Sequence, residues 1–75
     1  MSMAWYRVED VIRCLHDHKC EFAGERPGTG IVWFAPDGMP FTLPRPQEGW
    51  FDAIVIEEIL SDRSIWLCMA PLYDR

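Results

Sequence analysis

Prolines and glycines punctuate the middle of this chain so closely that no helix can cross it. Pro27, Gly28 and Gly30 interrupt "ERPGTG", and both residue types break regular structure. "PDG" at 36–38 is a tight-turn signal, because proline presets one φ and glycine accepts a positive one. Pro44 and Pro46 in "PRPQEGW" offer no N–H to a ladder, so that stretch reads as a loop. The pieces left between the breaks suit strands. "IVWFA" is β-branched and aromatic. "MPFTL" returns as its pair, with Pro40 at an edge or non-hydrogen-bonded position. "CEFAG" adds a weaker strand ahead of them.

Helical patterns flank this region. Val8, Val11, Ile12 and Leu15 recur at i, i+3, i+4 and i+7 and predict a helix from Val8 to His18. Glu9 and Asp10 lie in its first turn, where carboxylates favour the positive end of the helix dipole. Asp52 is a good N-cap for a second helix through "AIVIEEILSD". There Ile56, Ile59 and Leu60 would face inward and Glu57 and Glu58 outward; "AIVI" also suits a strand, but "EEILSD" favours the helix. The expected fold is α+β, in the order α-β-β-β-α. A three-stranded antiparallel sheet would be covered on one face by two helices, which buries both amphipathic helices.

At 75 residues the chain is at most one domain, since domains typically hold about 100–200. A domain of this size buries only about 60% of its unfolded surface. The filling is present: 49% of residues are hydrophobic, Trp5, Trp33, Trp50 and Trp66 among them, and 25% are charged. No apolar run approaches the roughly 18 residues of a membrane span. "MSMAWYRVEDV" has acids where a signal peptide needs an apolar stretch, so a cytoplasmic location is expected. Cys14, Cys20 and Cys68 fit reduced, buried thiols better than a disulfide framework. The tail 66–75 is apolar. Trp66 and Leu67 either complete the core or, if exposed, serve docking or a homodimer contact, and both uses stay open.

Charge narrows the function. Twelve acids against seven bases give a net charge of -5. From Gln47 to Asp62 the chain carries Glu48, Asp52, Glu57, Glu58 and Asp62 without one base. Nucleic-acid binders need clustered Lys and Arg, because counterion release drives their binding. A protein partner with a basic surface is the better electrostatic match.

"CLHDHKC" places Cys14, His16, His18 and Cys20 at every second position, and these residue types are zinc ligands. On a helix, however, Cys14 and His18 share a face while His16 lies about 200° of rotation away. On a strand, Cys14 and Cys20 would be about 20 Å apart. In either regular structure one ion cannot collect all four; only a bent turn around His18 would allow it, although Cys14 and His18 could still bind a stray metal as an i,i+4 pair. No cofactor is expected. "GTG" could expose backbone N–H groups to an anion but lacks the lysine of a P-loop, and reads as a flexible connection.

Taken together, the helix, "GTG", "IVWFAPDG", "FTLP" and the helix containing "EEIL" resemble the HicA family of toxin-like proteins over roughly Val8 to Ile65. The resemblance implies a fold like that of double-stranded-RNA-binding domains, mRNA-cleaving ribonuclease activity and an antitoxin partner. The family's catalytic histidine follows a small pair just before the second strand. Here Gly28 and Thr29 match the pair, but Gly30 stands in the histidine's place. Glycine cannot carry a proton in RNA cleavage. Pro46 replaces a second family histidine, and Glu57 and Glu58 replace the usual bases of the second helix.

The expected function is therefore a regulatory or inhibitory HicA-like module without nuclease activity, prokaryotic or phage-borne. It would contact its partner through Glu48, Trp50, Asp52, Glu57 and Glu58, with Trp66 and Met69 as an apolar anchor. An acidic inhibitor of the anti-CRISPR kind is one specific version. The alternative is a divergent ribonuclease using His16 or His18.

Overall fold

The structure is a computed structural model and describes residues 4–67 and 69–73; Cys68 lies outside them. Eight elements follow in order: β1 (Ala4–Arg7), α1 (Val8–Asp17), β2 (Glu21–Arg26), β3 (Gly30–Phe34), β4 (Pro40–Leu43), β5 (Trp50–Asp52), α2 (Ala53–Ser61) and β6 (Leu72–Tyr73). The class is α+β with two helices, as expected, but the strands form two antiparallel three-stranded sheets. One is β2-β3-β4, the sheet read from the sequence. The other, β5-β1-β6, corrects that reading. Its strands come from the leading segment, the end of "PRPQEGW" and the tail.

The β2-β3-β4 sheet follows from its breaks. Ala35 N–H donates to Met39 O at 2.9 Å and Gly38 N–H to Ala35 O at 2.8 Å, closing the "PDG" turn with Gly38 at φ 86°. Trp33 then pairs with Phe41 and Ile31 with Leu43. Strand alternation turns these four to one face, where Trp33, Phe41 and Leu43 are buried. Pro40 opens β4, an edge strand, where its missing N–H costs little.

The helices cover that face. α1 buries Val11, Cys14 and Leu15, whereas Ile12 is exposed, so its inner stripe lies one step round from the predicted one. Glu9 and Asp10 occupy its first turn. α2 buries Ala53, Ile56 and Leu60, with Ile59 half-buried at its margin. Asp52 caps it as predicted: Oδ1 accepts from Ile54 N–H at 2.9 Å and Val55 N–H at 3.4 Å. Tyr6 and Phe51, paired across β1 and β5, join the same core.

Gly30 has its own reason to be glycine. It is buried, its φ is 137°, and a Cβ there would stand 2.3 Å from Leu43 O of the neighbouring strand. No side chain fits, a histidine included. Gly28, in the preceding turn at φ 76°, would meet nothing. Gly30→Ala is therefore expected to lower stability by at least about 2 kcal/mol, from strained backbone plus overpacking. Gly28→Ala should lose only about 1 kcal/mol, the cost of the left-handed region alone. Urea unfolding of both variants measures the difference, and equal losses would refute the close approach at Gly30.

Candidate functional site

α2 turns Glu57 and Glu58 outward because its inner stripe is taken by Ile56 and Leu60. Past the helix the chain reverses sharply. Arg63 N–H donates to Leu60 O at 3.0 Å and Ile65 N–H to the same oxygen at 2.9 Å, while Ser64 adopts φ 58°. The reversal drives Ile65 into the core and leaves Trp66 65% exposed. Between helix and returning segment lies a cleft of about 400 Å³, lined by Tyr6, Glu57, Glu58, Leu60, Ile65 and Trp66, with Ser61 and Leu67 beside them. Its floor is apolar, one wall carries two carboxylates, and an indole borders it.

Tyr6 ties the floor to the acidic wall. It is 3% exposed, and its O–H donates to Glu57 Oε2 at 2.5 Å. Burial, and then the hydrogen bond and negative charge of Glu57, hold the phenol well above the ordinary tyrosine value of 10.0. Three of the bases are engaged elsewhere. Arg45 pairs with Glu25 at 3.7 Å, Arg63 Nη2 donates to Pro40 O at 3.1 Å, and Arg7 lies 5.5 Å over the Trp50 ring. Among the described residues neither Glu57 nor Glu58 is ion-paired.

The contact residues expected from the sequence fall into groups. Glu57, Glu58 and Trp66 converge on this cleft. Trp50 and Asp52 line a separate groove of about 220 Å³ with Trp5, Pro44 and Val55. Asp52 is there as the α2 cap and Trp50 as the start of β5. Glu48 is exposed in the turn before β5 at φ 53°. Met69 packs partly buried against the core. Of the expected anchor pair, Trp66 borders the cleft and Met69 lies partly buried outside its lining. Pro46 lies in the loop between β4 and β5, remote in sequence from the cleft residues.

"CLHDHKC" resolves into separate roles. Cys14 and His18, one turn apart on the last turns of α1, both reach the carbonyl oxygen of Trp66: His18 Nε2 at 3.0 Å and Cys14 Sγ at 3.6 Å. A carbonyl only accepts, so in this contact Nε2 of His18 is the donor. His16 is exposed, and its ring meets that of Trp33 in a T-shaped arrangement with centroids 5.7 Å apart. Cys20 is buried below the hairpin, and burial pushes its thiol pKa up, away from the reactive thiolate. Among the described residues no cluster of three His, Cys, Asp or Glu side chains is placed to hold a metal, and no helix is long and apolar enough to cross a membrane.

Sequence reasoning missed Tyr6, Leu60 and Ile65 as parts of a site, and Cys14 with His18 as its support. Tyr6 and Glu57 are 51 positions apart, so no local pattern joins them.

Because the Tyr6 phenol is raised in the folded state, the stability it confers is present below pH about 10, the unfolded value. It is lost as pH climbs toward the folded value, since the unfolded chain releases this proton first. From pH 9.5 to 11, unfolding free energy should fall more steeply in the wild type than in Tyr6→Phe, the difference approaching about 1.4 kcal/mol per pH unit. Chemical denaturation across that range measures it, and parallel curves would remove Tyr6 as the cause.

Compared with known proteins, the chain finds no match among family models, curated proteins or solved structures.

Proposed function

We propose that this chain is a small cytoplasmic module of HicA-like descent that has no nuclease activity. It works by binding a protein partner with a basic surface, as a regulatory or inhibitory component. The observation that carries the reading is the outer face of α2: acids without a base, opening into an apolar cleft beside an exposed tryptophan. Opposite charge steers a basic partner in and fixes its orientation. Exposed tryptophan beside a pocket is typical of the residues that dominate binding energy.

The loss of nuclease chemistry is supported by packing as well as by identity. At the position of the family's histidine the backbone of β4 approaches too closely for any side chain. Both histidines of the chain serve other contacts, His16 against Trp33 and His18 on the Trp66 carbonyl. A net charge of -5 further opposes a polyanionic substrate.

The test combines cleavage and binding. Incubated with single-stranded RNA, the purified protein should leave it intact. Titrated with deca-lysine and deca-arginine, it should bind both, with affinity falling steeply as salt rises. Glu57→Gln with Glu58→Gln should weaken binding about tenfold, the loss of roughly 1.4 kcal/mol expected of two steering charges. RNA cleavage abolished by His16→Ala or His18→Ala would overturn the proposal in favour of a divergent ribonuclease. Failure to bind either peptide would also overturn it.

A further inference from the structure

The cleft beside α2 has a more specific chemistry than an acidic surface needs. A solvated acidic helix face would attract any cation loosely. Here the carboxylates border a concave site that Leu60, Ile65 and Leu67 also line. Glu57 is held by Tyr6 through one oxygen, which fixes its carboxylate at the wall. A carboxylate accepts about four hydrogen bonds, so the group keeps capacity for a ligand. Glu58 adds a second charge and Trp66 an indole that is largely in solvent.

We propose that this cleft takes the side chain of a single arginine from the partner, with the guanidinium on Trp66 and paired to Glu57 and Glu58, and the methylene stem over Leu60 and Ile65. This deepens the proposed function and rests on it. Arginine is favoured over lysine by chemistry. A guanidinium is planar, stacks on an aromatic face and donates in its own plane to carboxylates at the same time. An ammonium is a compact, strongly hydrated charge that cannot do both equally well. The volume of about 400 Å³ also lies within the range of pockets that enclose small ligands, about 300–1,000 Å³.

The same geometry gives Cys14 and His18 their part. Trp66 follows a tight reversal, and its carbonyl is tethered to the end of α1 by His18 Nε2 and Cys14 Sγ. These are positioning residues: they hold the backbone that presents the indole and touch no ligand themselves.

The probe is acetyl-Gly-Arg-Gly-amide, with its lysine counterpart, titrated into the isotope-labelled full chain and followed by two-dimensional NMR. Shifts should concentrate at Glu57, Glu58 and the Trp66 indole N–H, and the lysine peptide should bind at least threefold more weakly. Trp66→Ala and Glu58→Gln, both at exposed positions, should each weaken arginine binding about tenfold. Glu21→Gln and Asp62→Asn, acids outside the cleft, should change it less than twofold. His18→Ala should weaken it about threefold and His18→Gln, whose amide can still donate, should restore it. Equal binding of the two peptides, or shifts spread over all acidic residues with no effect of Trp66→Ala, would overturn the arginine site. In that outcome, continued binding of deca-arginine would leave the acidic-surface function standing. Loss of binding to every basic peptide would remove both.

Discussion

One four-residue strand, Ala4–Arg7, holds together the parts of the chain on which the cleft depends. Arg7 pairs with Trp50 and Tyr6 with Phe51 on one side, while Trp5 pairs with Leu72 on the other. β1 therefore clamps the segment that enters α2 and the segment that returns after it. Without that double pairing, the reversal after α2 would have no fixed direction, and Tyr6 would not lie under Glu57. Two-residue β6 could not persist alone, since so short a ladder cannot offset the entropy of ordering it. It is held because Ile65, Leu67 and Met69 have already been drawn against the core.

The glycine at the start of β3 shows how packing and chemistry can exclude one another. Leu43 O approaches the Gly30 backbone so closely that the strand pair β3–β4 exists only with hydrogen in place of a side chain. No side chain, a general base included, can be placed there by a single substitution, because the cost falls on the sheet that carries the core residues Trp33, Phe41 and Leu43. That exclusion is a property of the sheet pairing and not of one residue alone.

The local elements were legible and the second sheet was not, for a physical reason. α1, α2 and the β3–β4 hairpin are each specified by neighbours within a few residues: an apolar period, a capping aspartate, a Pro-Asp-Gly turn. β1, β5 and β6 span only four, three and two residues, too short to show a period. Their pairings join positions more than 40 apart, Arg7 with Trp50 and Trp5 with Leu72. Glu57, Glu58 and Trp66 could be singled out by charge and composition. That they border one concavity, and that Trp50 and Asp52 belong to another, depends on those long-range pairings.

The alternating cysteines and histidines at the end of α1 gain a role from the same pairings. Spacing alone argued that one ion could not gather them; in the structure α1 ends at Asp17, with His18 as its C-cap and Cys20 beyond it. Cys14 and His18, on one face, meet the carbonyl of a residue that follows them by 52 and 48 positions. The chain has just left α2 through a turn and, among the described residues, enters no named strand before β6, so this carbonyl meets donors from outside its own segment. An ordinary hydrogen bond contributes about 1 kcal/mol net, so the donors from α1 stabilise the returning segment at this carbonyl. The tether also fixes where the exposed indole begins. A motif that resembles a metal site is thus better understood as the contact that gives the cleft its second wall.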